Sequence, residues 1–196
     1  MKTQQIIAVL AVIAILAVAT FSQKPNPDLL RFEVEGSRAY GYGFTDDRSV
    51  GVVKRLMRDH PEVDTLVLHK MSGTQHADAN LKLARRIRKL GLNTHVDADS
   101  IIASGAVDLF LAGVRRSAEC GAKIGVHAWS VGGIMDAQDA YFDDRKRFQE
   151  NFLRDMGVDP DFYVFTREAA PAADIYWLTP ADMTRFGVLT DPNDCG

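Results

Sequence analysis

Ser104 stands between two apolar runs, Ile101-Ile102 and Leu109-Phe110-Leu111, inside the small-residue segment Ala103-Ser104-Gly105-Ala106. The pattern carries a hydroxyl and an accessible backbone into a buried place. A serine hydroxyl is a weak nucleophile until a base takes its proton, and the oxyanion formed when it attacks a carbonyl needs hydrogen-bond donors. Gly105 lets its N–H come close to a substrate. A helix starting near Ser104 would aim further N–H groups, and the positive end of its dipole, at developing negative charge. The base would be His127, which ends the next β-rich run, AKIGVHAW.

The elements that must position these residues alternate along the chain. RFEVEGSRAYGYGF predicts strands parted near Gly36, and RSVGVVKRLMRDHP has the helical spacing of Val50, Val53, Leu56 and Met57, stopped by Pro61. DTLVLHK predicts a short strand, ANLKLARRIRKLG an amphipathic helix closed by Gly91, and LNTHVDAD another strand. Val107 to Val114 is long enough for the helix after Ser104, and AKIGVHAW is the following strand, ending near His127. Ala137 to Met156 reads as a charged amphipathic helix with Gly157 as its stop. LTPADMTRFG carries a cap at Thr179, Pro180 at the first helical position, Asp182 three residues after the cap and Gly187 at the end. Strands alternating with helices imply a mostly parallel sheet flanked by helices, with ligands beyond the carboxyl ends of the strands. Ser104 falls at such an end.

The order IASGAVDLFLAG then AKIGVHAW resembles the nucleophile and histidine segments of the ClpP/SppA/crotonase-like superfamily. Upstream, DTLVLHKMSGTQHADANLKLARRIRKLGLNTHV is similar to that superfamily's strand, oxyanion loop, helix and strand. Downstream, LTPADMTRFGVLTD is similar to the helix that closes ClpP-type chains. The resemblance covers most of residues 30–191. It implies an α/β fold of repeated β-α units, Ser104 as nucleophile, His127 as general base and the Gly105 N–H as one oxyanion donor. It also implies a second donor after TLVLHK, where Gly73 is nearest, although ClpP's Ser-Pro-Gly-Gly turn is here Met71-Ser72-Gly73-Thr74. The acidic third member, expected one residue from Asp174, would hold the tautomer of His127 that accepts a proton. Asp136 and Asp139 are the fallbacks.

Composition sets the surroundings. The chain has 196 residues, 46% hydrophobic and 25% charged, with a formal charge of -3, which suits a globular domain and gives no reason for nucleic-acid binding. MKTQQIIAVLAVIAILAVATFSQKPNPD places one lysine before an apolar run and then turns polar, as an export signal does. Residues 1–19 are therefore expected to be a signal peptide cleaved after Ala17-Val18-Ala19, or an anchor attached to the membrane through residues 6–21; 20–28 is a linker and 29–196 the folded domain. Either way the domain is exported, periplasmic or otherwise extracytoplasmic. An oxidising compartment would permit a bridge between Cys120 and Cys195; an unpaired Cys120 is the alternative.

Three functions fit this set. The first is an exported serine hydrolase acting on a peptide or protein, without a cofactor. The second is a catalytically silent member binding a protein at the cell envelope, favoured by the altered oxyanion turn. Crotonase-like acyl-CoA chemistry is the third, and export counts against it. The resemblance also suggests self-association as a homo-oligomer. No metal site is expected from His69, His76 and His95 with Asp97 and Asp99, because they lack a compact ligand signature and strand alternation separates neighbours. Arg85, Arg86, Arg88 and Lys89 are expected on a solvated helix face. Trp129, Tyr141, Phe162, Tyr163, Phe165 and Trp177 would fill core or line a substrate groove.

Overall fold

A computed structural model of the chain describes residues 28–128 and 139–191. Residues 1–27, Trp129, Asp136 and Cys195, and with them the expected export segment, lie outside the described residues. No described helix is long and apolar enough to cross a membrane.

Strand β1 (Arg31–Glu35) turns at Gly36, where φ is 57°, and pairs antiparallel with β2 (Arg38–Thr45). Helix α1 (Ser49–Asp59) buries Val53 and Leu56, and the His60 N–H closes its last turn onto Leu56 O just before Pro61. Strand β3 (Thr65–Thr74) lies parallel to β2 and buries Leu66, Val67, Leu68 and Met71. It runs on past the Lys70 where its apolar run ends, because two register shifts keep β2 and β3 paired as far as Phe44 with Gly73 and Thr45 with Thr74.

Helix α2 (Ala77–Lys89) packs Leu81, Leu83, Ala84 and Ile87 inward and stops before Gly91, whose φ is 72°. Then come β4 (Asn93–Val96), β5 (Ile101–Ala103), α3 (Gly105–Leu111), β6 (Arg116–Ala118) and β7 (Lys123–Val126). The chain closes with α4 (Asp139–Asp155), α5 (Phe162–Ala169), β8 (Tyr176–Trp177) and α6 (Pro180–Arg185). The capping box at Thr179 and Asp182 is formed as its spacing requires.

The sheet runs β1-β2-β3-β5-β7-β8, with β4 paired to β3 and β6 to β4. Every pairing is parallel except those of the two outermost strands, β1 and β8. One edge of β3 serves two strands in succession: Thr65 to Val67 pair with β4, and Lys70 and Met71 pair with β5. The chain therefore leaves β4, steps along β3 and delivers β5 further toward the carboxyl end of the sheet. That step places Ser104. Phe110 of α3 is fully buried at the centre of the core, and Phe152 and Phe186 are buried with it.

The arginine-rich side of α2 is less solvated than its charge implies. Arg85, Arg86 and Arg88 are half-buried, with Arg85 paired to Asp155 at 2.7 Å and Arg88 donating to Met156 O at 2.7 Å, so these residues seat the end of α4. Arg116 is 3% exposed and donates to the carbonyls of Val188, Met156 and Gly187 at 2.8 to 2.9 Å, tying β6 to the ends of α4 and α6. Cys120 is disulfide-bonded, so the unpaired alternative falls away.

Candidate active site

Strand β5 hands the chain to α3 through a single residue, Ser104. Its N–H donates to Gly125 O of β7 at 3.0 Å, while its backbone turns to φ 57°, ψ −131°. It is the one non-glycine residue with positive φ among the described residues. Such a conformation costs about 1–3 kcal/mol and persists because the surroundings over-determine it. A strained strand-to-helix turn of this kind lifts a hydroxyl clear of the backbone. Ser104 Oγ makes no hydrogen bond among the described residues and lines a cavity of about 820 Å³.

His127 follows the end of β7, and since Ala103 pairs with Gly125, it leaves the sheet beside Ser104 and lines the same cavity. Nδ1 lies 2.6 Å from Ala128 O. A carbonyl only accepts, so that contact assigns the proton to Nδ1 and leaves the Nε2 lone pair free. Around these two stand Thr74 to Ala79 at the head of α2, Arg145 and Leu153 of α4, and Phe162 and Tyr163 of α5. Arg145 pairs with Asp78, joining α4 to the head of α2 across the opening.

No protein-family model and no curated protein matches the sequence. Solved structures do match. A 1510-N membrane-bound stomatin-specific protease, solved as a serine-to-alanine variant, aligns with TM-score 0.55 and 14% identity over 78% of this chain and 75% of that one. A lysine-to-alanine variant of the same protease, in complex with a substrate peptide, aligns with TM-score 0.53 and 16% identity over 78% and 71%. A proposed enoyl-CoA hydratase from Streptomyces coelicolor A3(2) aligns with TM-score 0.47 and 13% identity over 87% and 69%. The fold is ClpP/crotonase-like.

Within the ClpP/crotonase-like fold of this chain, Gly73 comes from the far end of β3, not from an open loop. Its φ is 130°, and a Cβ there would lie 3.0 Å from Ser104 Cβ. A side chain at that position would crowd the serine. Gly105 is needed for packing as well as approach, since its Cβ would lie 2.5 Å from Thr74 Cγ2. The first N–H groups of α3 have no carbonyl before them within the helix, which leaves Gly105 as a donor beside Ser104. Asp174 is not brought to His127. It is exposed, lies outside the cavity lining, and its carboxylate accepts the Ile175 N–H at 2.8 Å.

Two residues of the site escaped the reading of the sequence. Asn80, 1% exposed on the apolar side of α2, accepts from Thr45 Oγ1 at 2.7 Å and donates to Gly105 O at 2.7 Å and Asp108 Oδ2 at 3.1 Å. The signal was a polar residue in a stripe otherwise made of leucine, alanine and isoleucine. Asp108, one helical turn after Ser104, also lines the cavity. Protein encloses it except at that edge, and burial pushes its carboxyl up to about 7, against the Asn80 amide and the Arg145 charge, which lower it.

Proposed function

We propose that this chain is an exported serine hydrolase that cleaves a peptide or protein substrate, with Ser104 as nucleophile and His127 as general base. The observation that carries the reading is the strained Ser104, its hydroxyl free of hydrogen bonds among the described residues, lining one cavity with His127. In the reaction, Nε2 of His127 takes the hydroxyl proton as Oγ attacks the carbonyl carbon of the substrate. The Gly105 N–H, with a backbone donor near Gly73, meets the oxyanion. The same imidazolium then gives its proton to the leaving amine, and water repeats the sequence on the acyl-enzyme. Ala128 O does part of the orienting work that a carboxylate does in a triad. The disulfide of Cys120 agrees with export, because such bonds persist in oxidising compartments.

A cavity of this volume accommodates several residues of an extended peptide, and the stomatin-specific protease of like fold holds a substrate peptide. The test is covalent labelling of the purified chain with a fluorophosphonate, read by mass spectrometry of the labelled peptide. Label is expected on Ser104, absent in Ser104→Ala, and slowed at least a hundredfold in folded His127→Ala. Label on another serine, or an unchanged rate without His127, rejects the pair.

One observation favours a second reading. Ser104 Oγ and His127 are not hydrogen-bonded here; the only partner of the His127 ring among the described residues is Ala128 O. A silent protein that binds a peptide in the cavity would show that feature. It would bind peptide yet leave Ser104 unlabelled.

A further inference from the structure

The sequence sets His95 and Asp97 aside as strand neighbours without a ligand signature, but alternation puts residues two apart on the same face. Both stand at the carboxyl end of β4, and β6, parallel beside it, brings Glu119 to the same place; the pairings are His95 with Ser117 and Val96 with Ala118. One side-chain ligand atom from each of His95, Asp97 and Glu119 lies within 4.8 Å of the others. None of the three lines the Ser104 cavity.

The hydrogen bonds around the group leave its centre open. His95 Nδ1 is 2.7 Å from Ser117 Oγ, which fixes the ring. His95 Nε2 is shielded from solvent without a well-aligned hydrogen bond, and faces two carboxylates, Asp97 Oδ1 at 3.1 Å and Glu119 Oε1 at 3.9 Å. Glu119 Oε2 accepts the Ala98 N–H at 2.9 Å, leaving Oε1 turned toward the imidazole. Arg38 donates to Asp97 Oδ1 at 3.0 Å, the oxygen that also faces His95 Nε2 at 3.1 Å, so the guanidinium and a cation would share that carboxylate.

We propose that His95, Asp97 and Glu119 form a divalent cation site, suited to zinc, that clips the ends of β4 and β6 together. One imidazole and two carboxylates, with a place for water, meet the tetrahedral nitrogen and oxygen preference of zinc. The Ser117 hydroxyl on His95 Nδ1 and the Ala98 N–H on Glu119 Oε2 hold these ligands from the far side, the outer support that metal ligands usually have. A cation at the centre gives Nε2 the partner it lacks. The neighbouring Arg38 charge weakens affinity, which sets this apart from a site that must be filled for folding. The ion would bind the native state alone and raise the melting temperature with its concentration.

The probe is zinc chloride added to the metal-free full chain, with bound metal counted by equilibrium dialysis and melting followed in parallel. One zinc per chain is expected, with a rise in melting temperature. Affinity should fall at least tenfold in Glu119→Gln and more in His95→Gln, and rise in Arg38→Met. Glu119 is exposed, so its variant keeps the test sound if His95→Gln fails to fold. Cobalt in place of zinc should give visible bands that disappear in Glu119→Gln. Absence of stoichiometric binding, or binding unchanged in Glu119→Gln, overturns the proposal.

Discussion

The side-chain amide of Asn80 holds the carbonyl of Gly105, 2.7 Å away, from the far side of the turn that carries Ser104. This bond runs from the first turns of α2 to the first residue of α3. It fixes the direction of the peptide unit that follows Gly105, while Thr45 Oγ1 fixes Asn80 in turn. The strained serine is thus braced by a buried polar chain and not by apolar packing alone. Replacing Asn80 by alanine leaves the Thr45 hydroxyl and the Gly105 carbonyl without their partner, at a cost of about 2–3 kcal/mol for buried unsatisfied groups. Urea denaturation should show that loss. Fluorophosphonate labelling of Ser104 should slow at least tenfold in protein that is still folded. A normal labelling rate would mean that the turn holds its shape without the amide.

The glycines at the site separate into two effects. Gly105→Ala places a methyl 2.5 Å from Thr74 Cγ2, a contact that forces α3 or β3 to move, and overpacking of this kind costs about 1–3 kcal/mol. Its main readout is a lower unfolding midpoint. Gly73→Ala meets Ser104 itself, at a φ of 130° that a side chain resists. It should slow labelling by more than its loss of stability explains. Equal loss of stability and equal labelling in the two variants would remove the distinction.

Much of this arrangement could be read from the sequence because periodicity and punctuation agreed. The α2 stripe, the turn at Gly36 and the Thr179 capping box each had a local cause, and each formed as expected. What was hidden depended on partners far along the chain. Strand β6 is the three residues Arg116 to Ala118, too short for a pattern, and exists because β4 pairs with it. The aromatic run from Phe162 is the helix α5, with Phe162 and Tyr163 buried. Asp174 could be placed near the closing helix by spacing, but which way its carboxylate turns is decided by the Ile175 N–H next to it. His95 and Glu119 stand far apart in sequence, and only the parallel pairing of β4 and β6 joins them.

The two candidate partners of Ser104 chemistry should respond unequally to substitution. His127 lines the cavity with its Nε2 lone pair free, whereas Asp174 is exposed and engaged with its own neighbour. Asp174→Asn should therefore change the labelling rate by less than about twofold, because its carboxylate lies outside the cavity lining and is bonded to the Ile175 N–H, not to His127. A tenfold slowing in Asp174→Asn would show that the loop from Pro171 swings its carboxylate onto His127 in the reacting state.

Arg116 makes a stability prediction independent of the site. Its guanidinium is buried on carbonyl oxygens of Val188, Met156 and Gly187, with burial lowering its affinity for the proton to a value of about 10. Arg116→Met fills part of the volume but strands those acceptors, and a loss of about 3 kcal/mol or more is expected from several buried carbonyls left unbonded. The melting temperature should drop sharply, with the ends of α4 and α6 the first segments to gain hydrogen exchange. Protection that stays even across both ends would assign the cross-link to packing instead.

Asp108 supplies the pH dependence. Its folded carboxyl is pushed up to about 7 from an ordinary 3.8 by burial, so between these values the folded chain holds a proton that the unfolded chain has released. Stability from this group is complete below about pH 4 and is lost as pH rises through about 7, where the folded state must carry a buried charge. Asp108→Asn keeps the acceptor for Asn80 and removes the titration. The variant should match the parent near pH 4 and become the more stable of the two by pH 8, by on the order of 1–3 kcal/mol given the edge that the cavity leaves open to water. Because Asp108 lines the cavity one turn beyond Ser104, its ionisation should also place a negative charge where the oxyanion forms. Labelling of the parent should then fall behind labelling of Asp108→Asn as pH rises through about 7. Parallel stability curves for the two proteins from pH 4 to 8 would show that Asp108 is ionised throughout, with Arg145 compensating its burial.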